Sequence, residues 1–139
     1  MKMGKKNLSL EEQRFALQAE LDAHKMQAER NRLGQFATPT ALALGILNYA
    51  ASLLPKDQKV RFLDPAIGTG AFYSALREVF PKQRIAEALG FEIDPHYGEP
   101  ASRLWTNSGL VMKLADFTQE DPSPRFNLVI CNPPYVRHH

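Results

Sequence analysis

The chain has 139 residues, of which 44% are hydrophobic and 23% are charged, and its formal net charge is only +2. This composition is typical of one globular domain, and the charge is too small to indicate a nucleic-acid partner by electrostatics alone. A single cysteine excludes an internal disulfide, and no apolar run approaches the ~20 residues that a membrane-spanning helix needs. We therefore expect a cytoplasmic protein without a membrane segment.

The first predicted element is one long helix that begins after Ser9 and ends at Gly34. Ser9 and Glu12 form a capping-box pattern, and Gly34 is a typical helix stop. The apolar stripe is thin, which favours a solvated helix lying across the domain; an arm that packs on a partner is the alternative. We assign residues 1–34 to an N-terminal helical arm and residues 35–139 to the main domain.

The next predicted helix begins at Thr38 as N-cap, with Pro39 at the first helical position. From Val60 onward, four short apolar segments alternate with helical ones, and Asp94 and Pro95 predict the start of the last helix. This alternation predicts an α/β fold, a doubly wound and mostly parallel sheet with both faces covered and with ligands at the carboxyl ends of its strands.

A glycine-rich turn, "FLDPAIGTGAF", follows the first predicted strand. The strand ends at Asp64, and Gly68 and Gly70 allow the main chain to pass close to a ligand before the next helix. The pattern is not the dinucleotide G-x-G-x-x-G, and an acidic strand end suits a cationic amine rather than a pyrophosphate. A purely structural tight turn is the alternative.

The next two strands also end in acidic residues. Glu92 lies 22 positions after Gly70, close to the ~20 expected for a carboxylate that accepts a ribose hydroxyl. Asp116 can accept from an exocyclic amino group, and the ring of Phe117 can stack on a purine; a plain loop role for Asp116 stays open. Together the three strand ends fit an adenosine that carries a positive charge instead of phosphates, which is S-adenosylmethionine.

Five segments carry a family resemblance: "GQFATPTALA", "FLDPAIGTGAF", "GFEIDP", "LADF" and "NPPY". Over about residues 34–135 the chain resembles the gamma group of N6-adenine DNA methyltransferases from bacterial restriction–modification systems. The resemblance implies the first half of a Rossmann-like methyltransferase fold, with residues 35–139 as the cofactor-binding catalytic domain. It also implies double-stranded DNA as partner, held through a recognition domain absent here. Ile67 departs from many relatives, which have a cysteine there.

The resemblance assigns roles to residues at matching positions and implies no metal site. The residues expected around the cofactor are Thr38, Pro39, Asp64, Ala66, Gly68, Gly70, Glu92, Asp116 and Phe117. The residues expected in the catalytic motif are Asn132, Pro133, Pro134 and Tyr135. We expect Cys131 to be a buried packing residue, and we assign no metal role to His138 or His139.

The amine of adenine is a poor nucleophile because its lone pair is shared with the ring. The catalytic motif can overcome this difficulty. The side-chain oxygen of Asn132 and the main-chain oxygen of Pro133 can accept from its two hydrogens and draw the nitrogen towards tetrahedral geometry. Tyr135 offers a face on which the extruded base stacks, worth ~1–3 kcal/mol.

Two other functions remain open from the sequence. A glutamine methyltransferase acting on a translation factor also uses Asn-Pro-Pro-Tyr, although "ATPTALA" and "DPAIGTGAF" are less typical of it. A non-catalytic fragment that binds only cofactor or a partner is the second. Because the sequence stops just after its fourth predicted strand, we expect little activity from it alone, and either self-association or pairing with a missing C-terminal part.

Overall fold

The computed structural model describes residues 7–121 and 125–135. Its four strands are β1 (Val60–Asp64), β2 (Ile85–Phe91), β3 (Leu110–Lys113) and β4 (Leu128–Val129). All pair in parallel, in the order β3-β2-β1-β4, so their carboxyl ends share one edge. The strand order reverses between β1 and β4, which makes the edge beside them the expected ligand crevice. The predicted doubly wound, parallel α/β fold is confirmed.

Over the described ranges, five helices connect and flank the strands: α1 (Leu10–Ala23), α2 (Gln27–Leu33), α3 (Thr40–Leu53), α4 (Ala71–Val79) and α5 (Pro95–Leu104). Two short 3-10 turns cover Lys82–Arg84 and Phe117–Gln119. No helix among the described residues is long and apolar enough to cross a membrane.

The main core lies on one face of the sheet. Residues of α3, α4 and α5 pack there against strand residues such as Val60 and Phe62, both with no exposed side-chain surface. The opposite face has a smaller cluster of Leu63, Leu89 and Phe91. The expectation that both faces are covered is therefore met only in part within the described residues, since Val111 and Val129 each stay 57% exposed.

The predicted single N-terminal helix is wrong, because α1 and α2 are separated at residues 24–26. The caps were predicted correctly: the Ser9 hydroxyl accepts from the main-chain N–H of Glu12, and Gly34 ends α2 in the left-handed conformation. The interruption places Lys25 against Asp94 at the start of α5, with Nζ 2.5 Å from the carboxylate oxygen. A tertiary ion pair thus overrides the helical pattern.

α1 packs against α4 and α5 of the same domain, as predicted for a helix that lies across the domain. Leu21 is buried, and Nε2 of His96 lies 2.7 Å from the Leu21 carbonyl oxygen. Arg14 is also buried and pairs with Glu11, while its Nη1 donates to Thr69 in the glycine-rich turn. A buried cation therefore ties α1 to the turn that follows β1.

The predicted N-cap of α3 is also wrong, because Pro39 rather than Thr38 precedes the first helical residue and no side chain caps it. The Thr38 hydroxyl instead accepts from the side-chain amide of Asn132. This contact joins segments separated by 94 residues in the sequence and belongs to the site described next.

Candidate functional site

A pocket opens at the carboxyl edge of the sheet beside β1 and β4. Its lining includes the glycine-rich turn, the end of β2, the segment before α3 and the loop after β4. The predicted site residues in this lining are Thr38, Ala66, Gly68, Glu92, Asn132 and Pro134. The predicted residues outside the lining are Pro39, Asp64, Gly70, Asp116, Phe117, Pro133 and Tyr135.

The pocket measures about 90 Å³, below the ~300 Å³ at which small-molecule pockets usually begin. A second cavity of about 640 Å³ lies at the amino ends of β2 and β3, beside Glu87 and Ser108, and contains none of the predicted site residues. The first pocket is therefore smaller, as the structure has it, than the sites that usually hold a nucleoside-sized ligand.

The glycine-rich turn holds the least solvated carboxyl group of the site. Asp64 is 1% exposed; its Oδ1 accepts from the main-chain N–H of Ala66 at 3.1 Å, and its Oδ2 is buried with no partner. Burial raises the pKa of Asp64 to about 7, and the nearby Glu92 adds to this effect. An unpartnered buried carboxylate oxygen is a receptor for a cationic or protonated donor.

The indole of Trp105 holds the glycine-rich turn in place. Its Nε1 donates to the carbonyl of Thr69 at 2.8 Å. Gly70 has a φ of 96°, and any side chain there would overlap the same indole ring. The two reasons together explain why glycine is needed at this position.

Glu92 is held by main-chain donors on both sides. Its Oε1 accepts from the N–H of Gly68, and its Oε2 accepts from the N–H of Asp94, each at 2.9 Å. Burial raises the pKa of the carboxyl, whereas these hydrogen bonds act in the opposite direction. Each oxygen keeps a further lone pair, so the side chain can still accept from a hydroxyl in the pocket.

Asp116 and Phe117 lie at the end of β3, away from the pocket lining. Asp116 caps the second 3-10 turn through the N–H and hydroxyl of Thr118, and these hydrogen bonds hold its pKa below the ordinary value. Phe117 packs edge-to-face on Phe91, with ring centroids 5.3 Å apart. Their role around an adenine ring stays a prediction.

The loop after β4 is docked on the segment before α3. Nδ2 of Asn132 donates to the carbonyl of Phe36 at 3.3 Å and to the hydroxyl of Thr38 at 3.2 Å. The rings of Phe36 and Tyr135 stack with centroids 5.9 Å apart. Asn132 also lines the pocket, and its role towards a target amine stays a prediction.

Cys131, immediately before this motif, is exposed, so the prediction of a buried packing residue is wrong. The reason is that β4 ends at Val129, which leaves Cys131 beyond the sheet. His138 and His139 lie outside the described residues. Within the part of the chain that is described, no three His, Cys, Asp or Glu side chains cluster as metal ligands would.

Two pocket residues on α1 were missed from the sequence. Gln18 accepts from the Thr69 hydroxyl at 2.7 Å, and Asp22 accepts from the Tyr97 hydroxyl at 2.8 Å. Both line the pocket together with Tyr97. No motif marks them in the sequence, since their position depends on how α1 packs.

Comparison with known proteins gives related methyltransferases, although no family model matches the chain. M.CvrRI of Paramecium bursaria Chlorella virus XZ-6E, a type II methyltransferase, is 32% identical over 83% of this chain and 28% of its own length. The type II methyltransferases M.XamI of Xanthomonas campestris pv. amaranthicola (30%) and M.TthHB8I of Thermus thermophilus (32%) match 78% of this chain, with 20% and 22% of their lengths covered. The chain thus spans between 20% and 28% of the length of these relatives.

Solved structures give the same fold. A protein of Listeria monocytogenes described as a class I S-adenosylmethionine-dependent methyltransferase superposes with a TM-score of 0.71 at 21% identity, over 92% of this chain and 40% of that one. A protein of Pyrococcus horikoshii described as an RNA methyltransferase gives 0.59 at 19% identity, over 88% and 60%. The chain therefore has the Rossmann-like fold of the S-adenosylmethionine-dependent methyltransferases and is related to the type II methyltransferases over about four fifths of its length.

Proposed function

We propose that the chain is the cofactor-binding and catalytic-motif part of a methyltransferase that modifies the N6 amine of adenine in DNA. In this proposal the cofactor is S-adenosylmethionine, the setting is a bacterial restriction–modification system, and the location is the cytoplasm. Double-stranded DNA would be held through a recognition domain outside this sequence.

One observation carries the proposal: a single pocket is lined by the glycine-rich turn, by Glu92 and by Asn132. Methyl transfer needs the donor and the acceptor amine in one cavity, because most of its rate enhancement comes from positioning and preorganised electrostatics. The similarity to type II methyltransferases supports the same reading.

The residues present fit the cofactor's chemical groups. The unpartnered Oδ2 of Asp64 suits the ammonium of the amino acid portion, because pairing there removes the cost of an isolated buried oxygen. Glu92, held by the N–H groups of Gly68 and Asp94, suits the ribose hydroxyls. When bound, the cofactor supplies an electrophilic methyl group on its sulfonium. The remaining predicted contacts, from Thr38, Pro39, Ala66, Gly70, Asp116 and Phe117, form part of the same proposal.

The chain's own contribution to the chemistry is to grip the target amine. The Asn132 side-chain oxygen and the Pro133 main-chain oxygen accept its two hydrogens, and the proline rings of the motif keep the main chain rigid. Tyr135 is 58% exposed and stacks on Phe36, so it offers aromatic surface on which an extruded base could stack. A flat stacking partner fits a base better than the aliphatic amide of glutamine.

Calorimetric titration of the chain with S-adenosylhomocysteine tests the cofactor part. We expect binding that weakens at least tenfold in Asp64→Asn and in Glu92→Gln, since each removes a charge-assisted contact. Asn132→Ala serves as the matched variant, because its side chain is assigned to the target amine and not to the cofactor. Absence of binding, or equal losses in all three variants, would contradict the assignment.

Incubation with labelled S-adenosylmethionine and mixed duplex DNA tests the reaction. We expect little or no incorporation by the 139-residue chain alone, because it spans less than a third of the length of the relatives it matches. In a protein that also contains the missing region, Asn132→Ala should lower turnover by roughly 10² or more. Unchanged turnover, or label on a base other than adenine, would overturn the proposal.

We propose that the edge of β4, which pairs with no further strand among the described residues, can accept a strand from a second copy or from a longer form of the protein. Backbone groups on an exposed edge strand readily accept another strand, and Val129 adds an exposed apolar side chain. Sedimentation of the chain over a range of concentrations tests for self-association; a monomer at all concentrations would leave the missing region as the expected partner.

A further inference from the structure

The side-chain amide of Asn132 is hydrogen bonded to the described residues only through its nitrogen. Its nitrogen donates to the carbonyl of Phe36 and to the hydroxyl of Thr38, so both amide hydrogens have acceptors. Its oxygen accepts no hydrogen bond from any described residue and is not enclosed by protein. The amide is therefore engaged through its donors and free at its acceptor.

The identity of the first partner fixes this orientation chemically. A main-chain carbonyl can only accept a hydrogen bond, so the amide nitrogen and not the oxygen must face Phe36. Rotating the amide by 180° would place its oxygen against the Phe36 carbonyl oxygen and lose that contact, whereas the Thr38 hydroxyl, which can also donate, would tolerate either orientation. The free oxygen then points away from Phe36 and Thr38, where the pocket lined by Asn132 can present it to a donor.

Two further contacts hold the same two segments together. Gly34 has a φ of 67°, and a side chain on it would collide with the main chain of Tyr135. The Phe36 ring stacks on the Tyr135 ring with an angle of 27° between their planes. The loop after β4 is thus docked at three points on residues 34–38, and the amide contact is the one that determines where the Asn132 oxygen points.

We propose that Thr38 and the main chain of Phe36 are positioning groups that fix the rotamer of Asn132, so that its oxygen is presented to the amine of the substrate. This rests on the proposed function only for the identity of that amine. Thr38 acts through Asn132 and not on the reacting atoms, which adds a role to the cofactor contact predicted from the sequence. A preset acceptor avoids the cost of ordering the amide when the substrate arrives.

The test observes the Asn132 amide directly in the ¹⁵N-labelled chain, without any ligand. The signal pair of the side-chain NH2 is identified by its loss in Asn132→Ala. In the unaltered protein we expect cross-relaxation between this pair and the Thr38 methyl group, and slower exchange with water than for the exposed Asn48. Absence of both features would overturn the proposal before any substitution at Thr38 is made.

Two matched substitutions then separate the hydroxyl from the shape of the side chain. Thr38→Val keeps the shape and removes the acceptor, so water exchange of the pair should accelerate on the order of tenfold. Thr38→Ser keeps the acceptor and should behave as the unaltered protein does. An unchanged pair in Thr38→Val, or equal acceleration in Thr38→Ser, would overturn the role of the hydroxyl.

Circular dichroism of the two variants gives the folded-state control, since a merely structural role would alter both the fold and the amide signals. Because no readout requires cofactor, the outcome is independent of the titrations above. A chain that binds S-adenosylhomocysteine but lacks the Asn132 signature would refute the positioning role alone. A chain with the signature and no cofactor binding would refute the proposed function alone.

Discussion

Substitution of Asp64 by Asn should stabilise the ligand-free chain at neutral pH. Asp64 ends β1 with one carboxylate oxygen bound to the N–H of Ala66 and the other buried without a partner. Burial raises the pKa of Asp64 to about 7 from an ordinary value of 3.8. An Asn side chain has nearly the same shape, keeps an oxygen for Ala66 and cannot ionise.

The sign of the pH dependence follows from proton counting. Between about pH 4 and pH 7 the unfolded chain has lost the Asp64 proton while the folded chain retains it. The free energy of unfolding therefore falls as the pH rises, by about 1.4 kcal/mol per pH unit. Above pH 7 both states are ionised and the loss levels off at about 4 kcal/mol, which is an upper value because folded proteins relax around buried charges.

Urea unfolding of the wild-type chain and of Asp64→Asn at pH 5, 6, 7 and 8 measures this difference. We expect the variant to gain stability relative to wild type with each step up to pH 7 and then to keep a constant advantage. Asp57→Asn, at an exposed position, is the matched control and should run parallel to wild type. Parallel profiles for Asp64→Asn would refute the idea that a costly buried carboxyl lies at the end of β1.

Three further predictions follow from the same contacts. Binding of S-adenosylhomocysteine should tighten by up to about tenfold per pH unit from pH 5 to 7 in wild type and lose this dependence in Asp64→Asn, as calorimetry would show. Arg14→Met should cost about 3 kcal/mol in urea unfolding because it leaves the Glu11 carboxylate without its buried cation, and a loss below about 1 kcal/mol would contradict this. Gly34→Ala should cost at least about 2 kcal/mol through its positive φ and the collision with Tyr135, whereas Gly45→Ala, inside α3 with open space around it, should gain about 0.5–1 kcal/mol in the same assay.

The sheet and its connections could be predicted because local signals agree with the tertiary structure there. "VRFLD" is β1 without a shift, and α5 begins at Pro95 behind the Asp94 cap, whose side chain accepts from the N–H of His96. In both places an apolar run or a cap leaves little choice of conformation. The position of Glu92 followed from the same patterns, since it comes directly after β2, whereas Asn132 lies three residues beyond the end of β4.

The parts that could not be predicted depend on contacts between distant residues. Neither glycine nor proline marks the interruption between α1 and α2, which appears only when Lys25 meets Asp94 and Gln35. The Thr38 hydroxyl is a plausible cap in the sequence, but in the structure it serves Asn132, 94 residues further on. Local propensity is a weak guide where a side chain has a better partner elsewhere.

Side-chain contacts between α1 and distant segments also determine the shape of the candidate site. Arg14 connects Glu11 to Thr69 and Thr40, and Glu11 in turn accepts from the Ser74 hydroxyl at the start of α4. The glycine-rich turn is thus held between α1 and Trp105, and not by its own sequence alone. Because Gln18, on the next turn of α1, also lines the pocket, the same helix supplies both the support of the turn and part of the wall facing a ligand. A binding loop fixed by a buried ion pair on one side and an indole on the other is expected to keep its shape without a ligand. Such preorganisation is what the proposed methyl transfer would require.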